Sequence, residues 1–381
     1  MMHLPLISLF WLASLLFPAD PNFEAQTIDD KVSIGYGLAI GDVDGDQKPD
    51  ILLADKKQFV WYRNGDWKRF VMVDNITQSD NVCIAARDIN GDGQVEVAVG
   101  AQWNPGETSD TEKSGAVFYL VRPKDPTQPW KPIQLHHEPT THRMKWVKAG
   151  DKYHLVVVPL HGRGNKGGEG EGVKVMAYEM PSNPEQPWKL QTIDESMHLT
   201  HNFDVVINEG EEWIYLGGKE GLKLFYYDGS HWTSPSMGDW AIKGDPFGEV
   251  RDGQLGNEKF FVGIQPMHGN ELVVYNRADM ERNVLTSELK QGHAIATGDL
   301  LALGNDQIVV GWREANDEGK VGIKIFAPQD NQGKNWGDHW IDENGMATED
   351  LLIADLDGDG KKDIIAAGRA TKNLKVYWNR N

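Results

Sequence analysis

Asp355-Leu356-Asp357-Gly358-Asp359-Gly360-Lys361-Lys362-Asp363 lies between Ile353-Ala354 and Ile364-Ile365-Ala366-Ala367-Gly368. It sets alternate carboxylates and two glycines between two short apolar runs. A hard cation such as Ca²⁺ takes six to eight oxygens at roughly 2.3–2.6 Å, and a tight loop of alternating Asp supplies them. The flanking runs are too short for helices and read as buried strands, so the unit is strand–loop–strand. An EF-hand is excluded, because it needs helices on both sides and a Glu at loop position twelve. The unit recurs as Asp42-Val43-Asp44-Gly45-Asp46-Gln47-Lys48-Pro49-Asp50 and as Asp88-Ile89-Asn90-Gly91-Asp92-Gly93-Gln94-Val95-Glu96. Candidate ligands for structural Ca²⁺ are therefore Asp42, Asp44, Asp46 and Asp50, then Asp88, Asn90, Asp92 and Glu96, then Asp355, Asp357, Asp359 and Asp363. Three copies of one unit mean a repeat protein.

A second periodicity supports the repeat. A large apolar residue is followed five positions later by an aliphatic one in Phe23–Ile28, Trp67–Met72, Trp130–Leu135, Trp188–Ile193, Trp232–Met237, Met280–Leu285 and Trp336–Ile341. These seven pairs are spaced by 44 to 63 residues and read as the outer strands of seven blades. The first pair precedes any blade, and the chain stops after Tyr377-Trp378 where another outer strand is due. Pairing the N-terminal strand into the last blade closes the ring and removes the open sheet edges. The expected fold is all-β, a seven-bladed β-propeller over residues 20–381. Aromatic residues ending the third strands, such as Tyr62, Tyr119 and Tyr178, read as blade-to-blade packing.

Ahead of the propeller, Leu4 to Phe17 form an apolar run followed by Pro18-Ala19. The run is too short to span a bilayer and reads as a signal peptide over residues 1–19, although its start lacks Lys and Arg. A periplasmic or secreted protein without a membrane span is expected. Cys83 is the single Cys, so packing replaces disulfides. A net charge of −19 argues against nucleic acid as a partner. A monomer is expected.

Registering the blades on the ends of their inner strands places Tyr36, Val82, His142, His201, Glu249, His293 and Glu349 at one mouth of the central channel. Residues just after the second strands fall nearby: Lys57, Trp103, His161, Arg163, Lys219, His268, Trp312, Arg313 and Arg369. Longer polar loops at 104–115, 162–172 and 314–320 join second to third strands on the same face and suggest a walled cleft. An acidic chain that gathers His, Lys and Arg at one mouth points to an anion pocket: Arg forks a carboxylate, and His titrates near neutrality. Trp103 and Trp312 are candidates to stack on a sugar face. Cleavage beside a uronic acid by β-elimination needs these parts: a cation on the carboxylate, a base for the C5 hydrogen, and an acid for the departing oxygen. Each piece also has an ordinary reading, as a satisfied polar core His or a solvated Gly-Arg turn. The Asp loops read as structural sites, and His136, His137 and His339 as surface residues of outer strands. The His/Glu set also suffices for a second divalent metal such as zinc in the central pocket.

The Asp-x-Asp-Gly-Asp-Gly-x-x-Asp loops resemble FG-GAP/VCBS-type repeats. More narrowly, Gly35-Tyr36-Gly37-Leu38-Ala39-Ile40-Gly41-Asp42, Pro139-Thr140-Thr141-His142-Arg143-Met144, Pro159-Leu160-His161-Gly162-Arg163-Gly164-Asn165, Leu199-Thr200-His201-Asn202 and Gly292-His293-Ala294 carry a resemblance to two groups. One is the propeller of aldos-2-ulose dehydratase. The other is the L-rhamnose-α-1,4-D-glucuronate lyases of polysaccharide lyase family 42, which trim arabinogalactan and gum arabic. The resemblance spans the mature chain and implies elimination at the central pocket, with His142, His161, Arg163, His201 and His293 as catalytic residues. Tyr36, Lys57, Trp103, Lys219, Glu249, His268, Trp312, Arg313 and Arg369 are the expected substrate-binding set. The dehydratase carries cupin-like domains after its propeller, and this sequence ends without them, which favours the lyase. The expected partner is a uronate-containing glycan. The alternatives are a dehydratase-like enzyme and a non-catalytic glycan-binding or adhesion propeller, which has little use for several His at one mouth.

Overall fold

The computed structural model describes residues 20–235, 240–330 and 332–381, and every regular element among them is a strand. The expected signal peptide lies outside the described residues, as does Met237 of the fifth aromatic–aliphatic pair. Among the described residues no helix is long and apolar enough to cross a membrane.

The strands form seven antiparallel sheets, six of four strands and one of five, arranged as the blades of a propeller. Alternation along each strand sends side chains to both faces of a blade, so each core cluster is shared by neighbours. One such cluster joins Leu52, Phe59, Trp61 and Met72 of blade 1 to Val97, Val99 and Leu120 of blade 2. Trp61 is fully buried there and stacks on Phe70 at 4.7 Å. Removing each such aliphatic side chain from water stabilises the ring by about 1.5–3 kcal/mol. In blade 4 the outer position is shared by the short strands Trp232–Thr233 and Trp240–Lys243, which pair with opposite ends of Gly221–Tyr227.

Closure follows the expected route. Phe23–Asp29 pairs antiparallel with Asn373–Asn379, from Phe23 opposite Asn379 to Asp29 opposite Leu374. The seventh blade is thus completed by the chain's N-terminal strand. Asn22 and Arg380 extend the clasp with a backbone bond of 2.9 Å.

Every inner strand runs from the histidine mouth toward the opposite mouth, where the Asp loops lie. In blade 1 the strand Gly37–Gly41 separates Tyr36 from Asp42. Six residues of extended chain span roughly 20 Å, so the Asp loops lie far from the histidines. Gly45, Gly91 and Gly358 take φ of 83°, 80° and 75° in these loops, the left-handed region where a Cβ is strained.

Candidate functional site

The mouth is built by β-bulges. In the inner strand of blade 3, Thr141–Ala149, Thr141 and Arg143 face adjacent partners Pro159 and Val158, leaving His142 as the extra residue. His293 and Glu349 are extra in the same way in blades 6 and 7, and one residue is extra between Thr200 and Phe203 in blade 4. A bulge re-aims its residue out of the pleat. Here it drives the side chains of His142, His201, His293 and Glu349 toward the axis, where they are almost fully buried.

Each inner-strand His is pinned by the next strand or by the turn before it. Nδ1 of His142 donates to the carbonyl of His201 at 2.8 Å, and Nδ1 of His201 to the carbonyl of Gly248 at 2.8 Å. Nδ1 of His293 donates to the carbonyl of Glu349. This fixes one tautomer and leaves Nε2 as the lone-pair atom. Glu249 lies behind His201, with Oε1 3.2 Å from Nδ1 and Oε2 accepting from Asn202 at 2.7 Å. Burial pushes the Glu249 carboxyl up, but the His201 contact and the Arg251 charge outweigh it and hold it below the usual range.

The rings meet in one cluster. Trp103 stacks on His142 at 5.0 Å, and His142 lies 4.8 Å from His201. His201 meets His268 edge-on at 4.6 Å and His293 at 5.2 Å. Nε2 of His201 and Nε2 of His268 are 2.8 Å apart, so the fixed tautomer of His201 makes His268 the donor. His268 reaches in from the loop between the second and third strands of blade 5. Ring nitrogens of His201, His268 and His293 lie within 4.8 Å of one another. Burial, followed by the Arg143 charge, holds His142 far below its ordinary range. Burial and Arg313 do the same to His293, and burial with His201 brings His268 down to about 2. Burial thus favours the neutral form of all three imidazoles.

Of the remaining expected residues, Arg313 and Arg369 converge on Glu349, at 3.5 and 3.0 Å. Arg369 also lies over the Tyr36 ring at 5.5 Å. Tyr36 donates to Asp80 at 3.2 Å, and burial with the Asp80 charge pushes its hydroxyl up to about 12. Lys57 caps the carbonyls of Gln78 and Ser79, beside Asp80 at 3.6 Å. Arg163 is held by Glu138 through Nε and Nη2 at 2.9 and 2.7 Å. His161 is half-buried next to it, with Nδ1 buried and unpartnered, and burial lowers its pKa. Lys219 turns to the Gly167 carbonyl. Trp312 departs from the expectation: it is 1% exposed, packs on Trp340 at 5.3 Å and donates to the Lys320 carbonyl, so it belongs to the core between blades. The walling loops dock on one another, Gly164 donating to the Thr108 carbonyl at 2.9 Å.

Arg143 was not among the expected residues, because strict alternation along the strand turns it away from the face of His142. The bulge at His142 cancels that alternation. Nη1 of Arg143 donates to Nε2 and to the carbonyl of His142, both at 3.1 Å. Arg163, Arg313, Arg369, Lys57 and Lys219 all face carboxylates. Among the described residues no carboxylate pairs with Arg143, though it is only partly exposed.

At the opposite mouth, carboxylate oxygens of Asp42, Asp44 and Asp50 lie within 4.8 Å of one another, as do those of Asp355, Asp357 and Asp359. Asp50 is fully buried, and burial raises its pKa to about 7. A buried carboxylate among two others fits a cation. Asp46 instead accepts from the Lys48 amide, and Asp363 caps the amides of Leu356 and Asn379. The middle loop is filled from within: Asn90 donates to Glu96 at 2.8 Å, Arg122 pairs with Asp92 at 3.0 Å, and Asp88 caps Gly91.

Fold and mouth together define a seven-bladed β-propeller with an imidazole–guanidinium centre. Residues 114–278 match the family model of the aldos-2-ulose dehydratase β-propeller domain, and residues 42–99 match the FG-GAP-like repeat. The chain is similar to aldos-2-ulose dehydratase of Phanerodontia chrysosporium, 23% identical over 341 residues, which takes in 81% of this chain and 36% of that protein. The chain thus spans about a third of that relative's length. A chain of the Mitotic Checkpoint Complex shares the fold at a TM-score of 0.58 and 10% identity, covering 100% of this chain and 99% of its own. The exotype rhamnogalacturonan lyase YesX does so at 0.50 and 13%, covering 95% of this chain and 75% of its own.

Proposed function

We propose that this protein is a lyase that breaks a glycosidic bond beside a uronic acid by β-elimination, acting on rhamnose-capped glucuronate side chains of the arabinogalactan and gum arabic type. The observation that carries this reading is Arg143, a cation in the pocket that makes no direct ion pair among the described residues, set against neutral imidazoles whose Nε2 lone pairs face the axis. A guanidinium in that position wants an anion with two parallel oxygens.

In this reading Arg143 takes the uronate carboxylate and stabilises the charge that develops when C5 loses its hydrogen. His293 is the base, because its Nε2 is neutral and its Nδ1–H is already committed to the Glu349 carbonyl. The C5–H electrons form the C4–C5 double bond, the C4–O bond breaks, and the departing oxygen takes the proton that His293 has gained from C5. The Nε2–H of neutral His268, fixed by His201, is a hydrogen-bond donor to that oxygen. Trp103 stacks on the sugar, and Glu249 orients His201.

A second reading rests on the 4.8 Å cluster of His201, His268 and His293 nitrogens. Three imidazoles, two with pinned Nδ1–H groups and one backed by Glu249, fit a divalent ion such as zinc. A bound ion would supply Lewis-acid polarisation of the carboxylate or of a sugar carbonyl, the second being suited to a dehydratase-type substrate. The loop sets at Asp42–Asp50 and Asp355–Asp359 are proposed to hold structural Ca²⁺. A secreted or periplasmic monomer completes the proposal.

The test is ultraviolet absorbance during incubation of the purified protein with gum arabic. Elimination leaves an unsaturated uronate that absorbs, and rhamnose appears in step with it. A flat trace, on gum arabic and on other uronate glycans alike, removes the elimination reading. Metal analysis of the active protein separates the two arrangements: an ion on the three histidines leaves none of their Nε2 atoms free as a base.

A further inference from the structure

Directly beneath Arg143 the axis opens into a cavity of about 310 Å³ whose lining is mostly apolar. Ile40, Ala86, Val205, Leu352 and Ile353 line it, and each keeps partial exposure inside an otherwise closed core. They lie three or four residues below the histidine ring, roughly 13 Å along an extended strand. The lining also holds two cations that are already neutralised, Arg87 by Glu212 at 2.6 Å and Lys145 by Asp204 at 2.8 Å. The near end carries Arg143, whose charge reaches buried Asp350 and Glu249 but which makes no direct ion pair among the described residues. The tunnel thus has a positive group free to take a direct ion pair at one end of a mostly apolar body.

We propose that this axial tunnel is a binding site for small amphipathic monocarboxylates, with the carboxylate on Arg143 and an unbranched alkyl chain running down between Ile40, Ala86, Val205 and Ile353. An apolar ligand alone would leave Arg143 without a direct ion pair. A purely polar anion would leave the tunnel walls without contact. The pairing of both features selects a ligand that has both. Such a ligand uses the guanidinium that the proposed glycan site uses, so the two exclude each other. The tunnel site is read by binding alone and stands or falls apart from the elimination reading.

The experiment is calorimetric titration of the full chain with acetate, butanoate, hexanoate and hexan-1-ol. Affinity is expected to rise about fourfold per methylene, so that hexanoate binds about 15-fold more tightly than butanoate. Hexan-1-ol is expected to bind at least tenfold more weakly than hexanoate, because it leaves Arg143 without a counter-charge. Ala86→Leu, which places extra carbons in the tunnel, should weaken hexanoate at least tenfold and leave acetate within twofold. Equal affinity for acetate and hexanoate overturns the proposal, since the anion would then sit on Arg143 from the mouth side only. Equal affinity for hexanoate and hexan-1-ol overturns the anchoring role of Arg143. The wild-type series decides both points without any variant having to fold.

Discussion

Replacing Arg143 by Met separates activity from stability in a way that few pocket substitutions do. Its guanidinium is partly buried, lacks a carboxylate partner among the described residues, and helps hold His142 neutral. Its removal relieves like-charge pressure on the histidines but also takes a favourable charge from buried Asp350 and Glu249, so two effects oppose one another. The Met side chain keeps most of the apolar stem. Stability should change by no more than about 1 kcal/mol in either direction. With an unfolding entropy near 2.1 cal/mol/K per residue, a chain of this length shifts its Tm by only about 1.3 °C for that change. Activity should change far more. A charge-assisted donor aimed at developing negative charge is worth about 2.7–4 kcal/mol, so kcat/KM on the uronate glycan should fall about 10²–10³-fold. The assay pairs the absorbance of unsaturated product with differential scanning fluorimetry on one protein preparation. Retention of more than a tenth of wild-type kcat/KM refutes the anchoring role. A fall in Tm of more than about 5 °C refutes the claim that the charge of Arg143 adds little to the fold.

Four further outcomes follow from the same geometry. Glu249→Gln should lower turnover about 10–100-fold through loss of His201 orientation, with little change in a denaturant midpoint; an unchanged rate excludes that link. His142, His268 and His293 are neutral when folded, so the unfolded chain takes up protons first as pH falls below about 6.5, and the stability present above that pH is lost. Buried Asp50 titrates in the opposite sense, so the histidine share is read as the difference in pH slope between wild type and His293→Asn, about 1 kcal/mol between pH 6.5 and 5.5; parallel slopes refute it. Chelation should lower Tm, and added Ca²⁺ at about 100 times its Kd should restore about 2.7 kcal/mol, an effect lost in Asp44→Asn; loss of activity in a chelated chain that stays folded would move the metal into the chemistry. Trp312→Ala should cost about 3–5 kcal/mol as a core cavity, whereas Trp103→Ala should weaken glycan binding at nearly constant Tm; the reverse pattern would return Trp312 to the site.

The repeat was legible because its signals are local: an Asp loop between apolar strands, an aromatic five residues before an aliphatic, and a missing outer strand at the end of the chain that Phe23–Asp29 completes. Most of the mouth was legible for the same reason, since registering the blades on the ends of their inner strands, which Asp42, Asp88 and Asp355 mark in three of them, sets His142, His201 and His293 beside Tyr36, Val82 and Glu349. Counting does not reveal where a strand gains a residue. The bulges at His142, His293 and Glu349 depend on pairing with Pro159, Trp312 and Gly368, and no composition signal marks them. They decide which of two consecutive residues faces the axis, and so they hid Arg143 while leaving His142 visible. Trp312 failed by the converse route: it is the last residue of the strand Gln307–Trp312, whereas Trp103 lies beyond the strand Glu96–Ala101, and the neighbouring Trp340 covers its ring. The bulges also explain why a propeller built for packing has a cluster of imidazoles at its axis. Each one interrupts a ladder and turns a polar side chain toward the axis, and the Nδ1–H···O=C bonds to neighbouring backbone offset that interruption. The same bonds that hold the ring closed fix the tautomers on which the proposed chemistry depends.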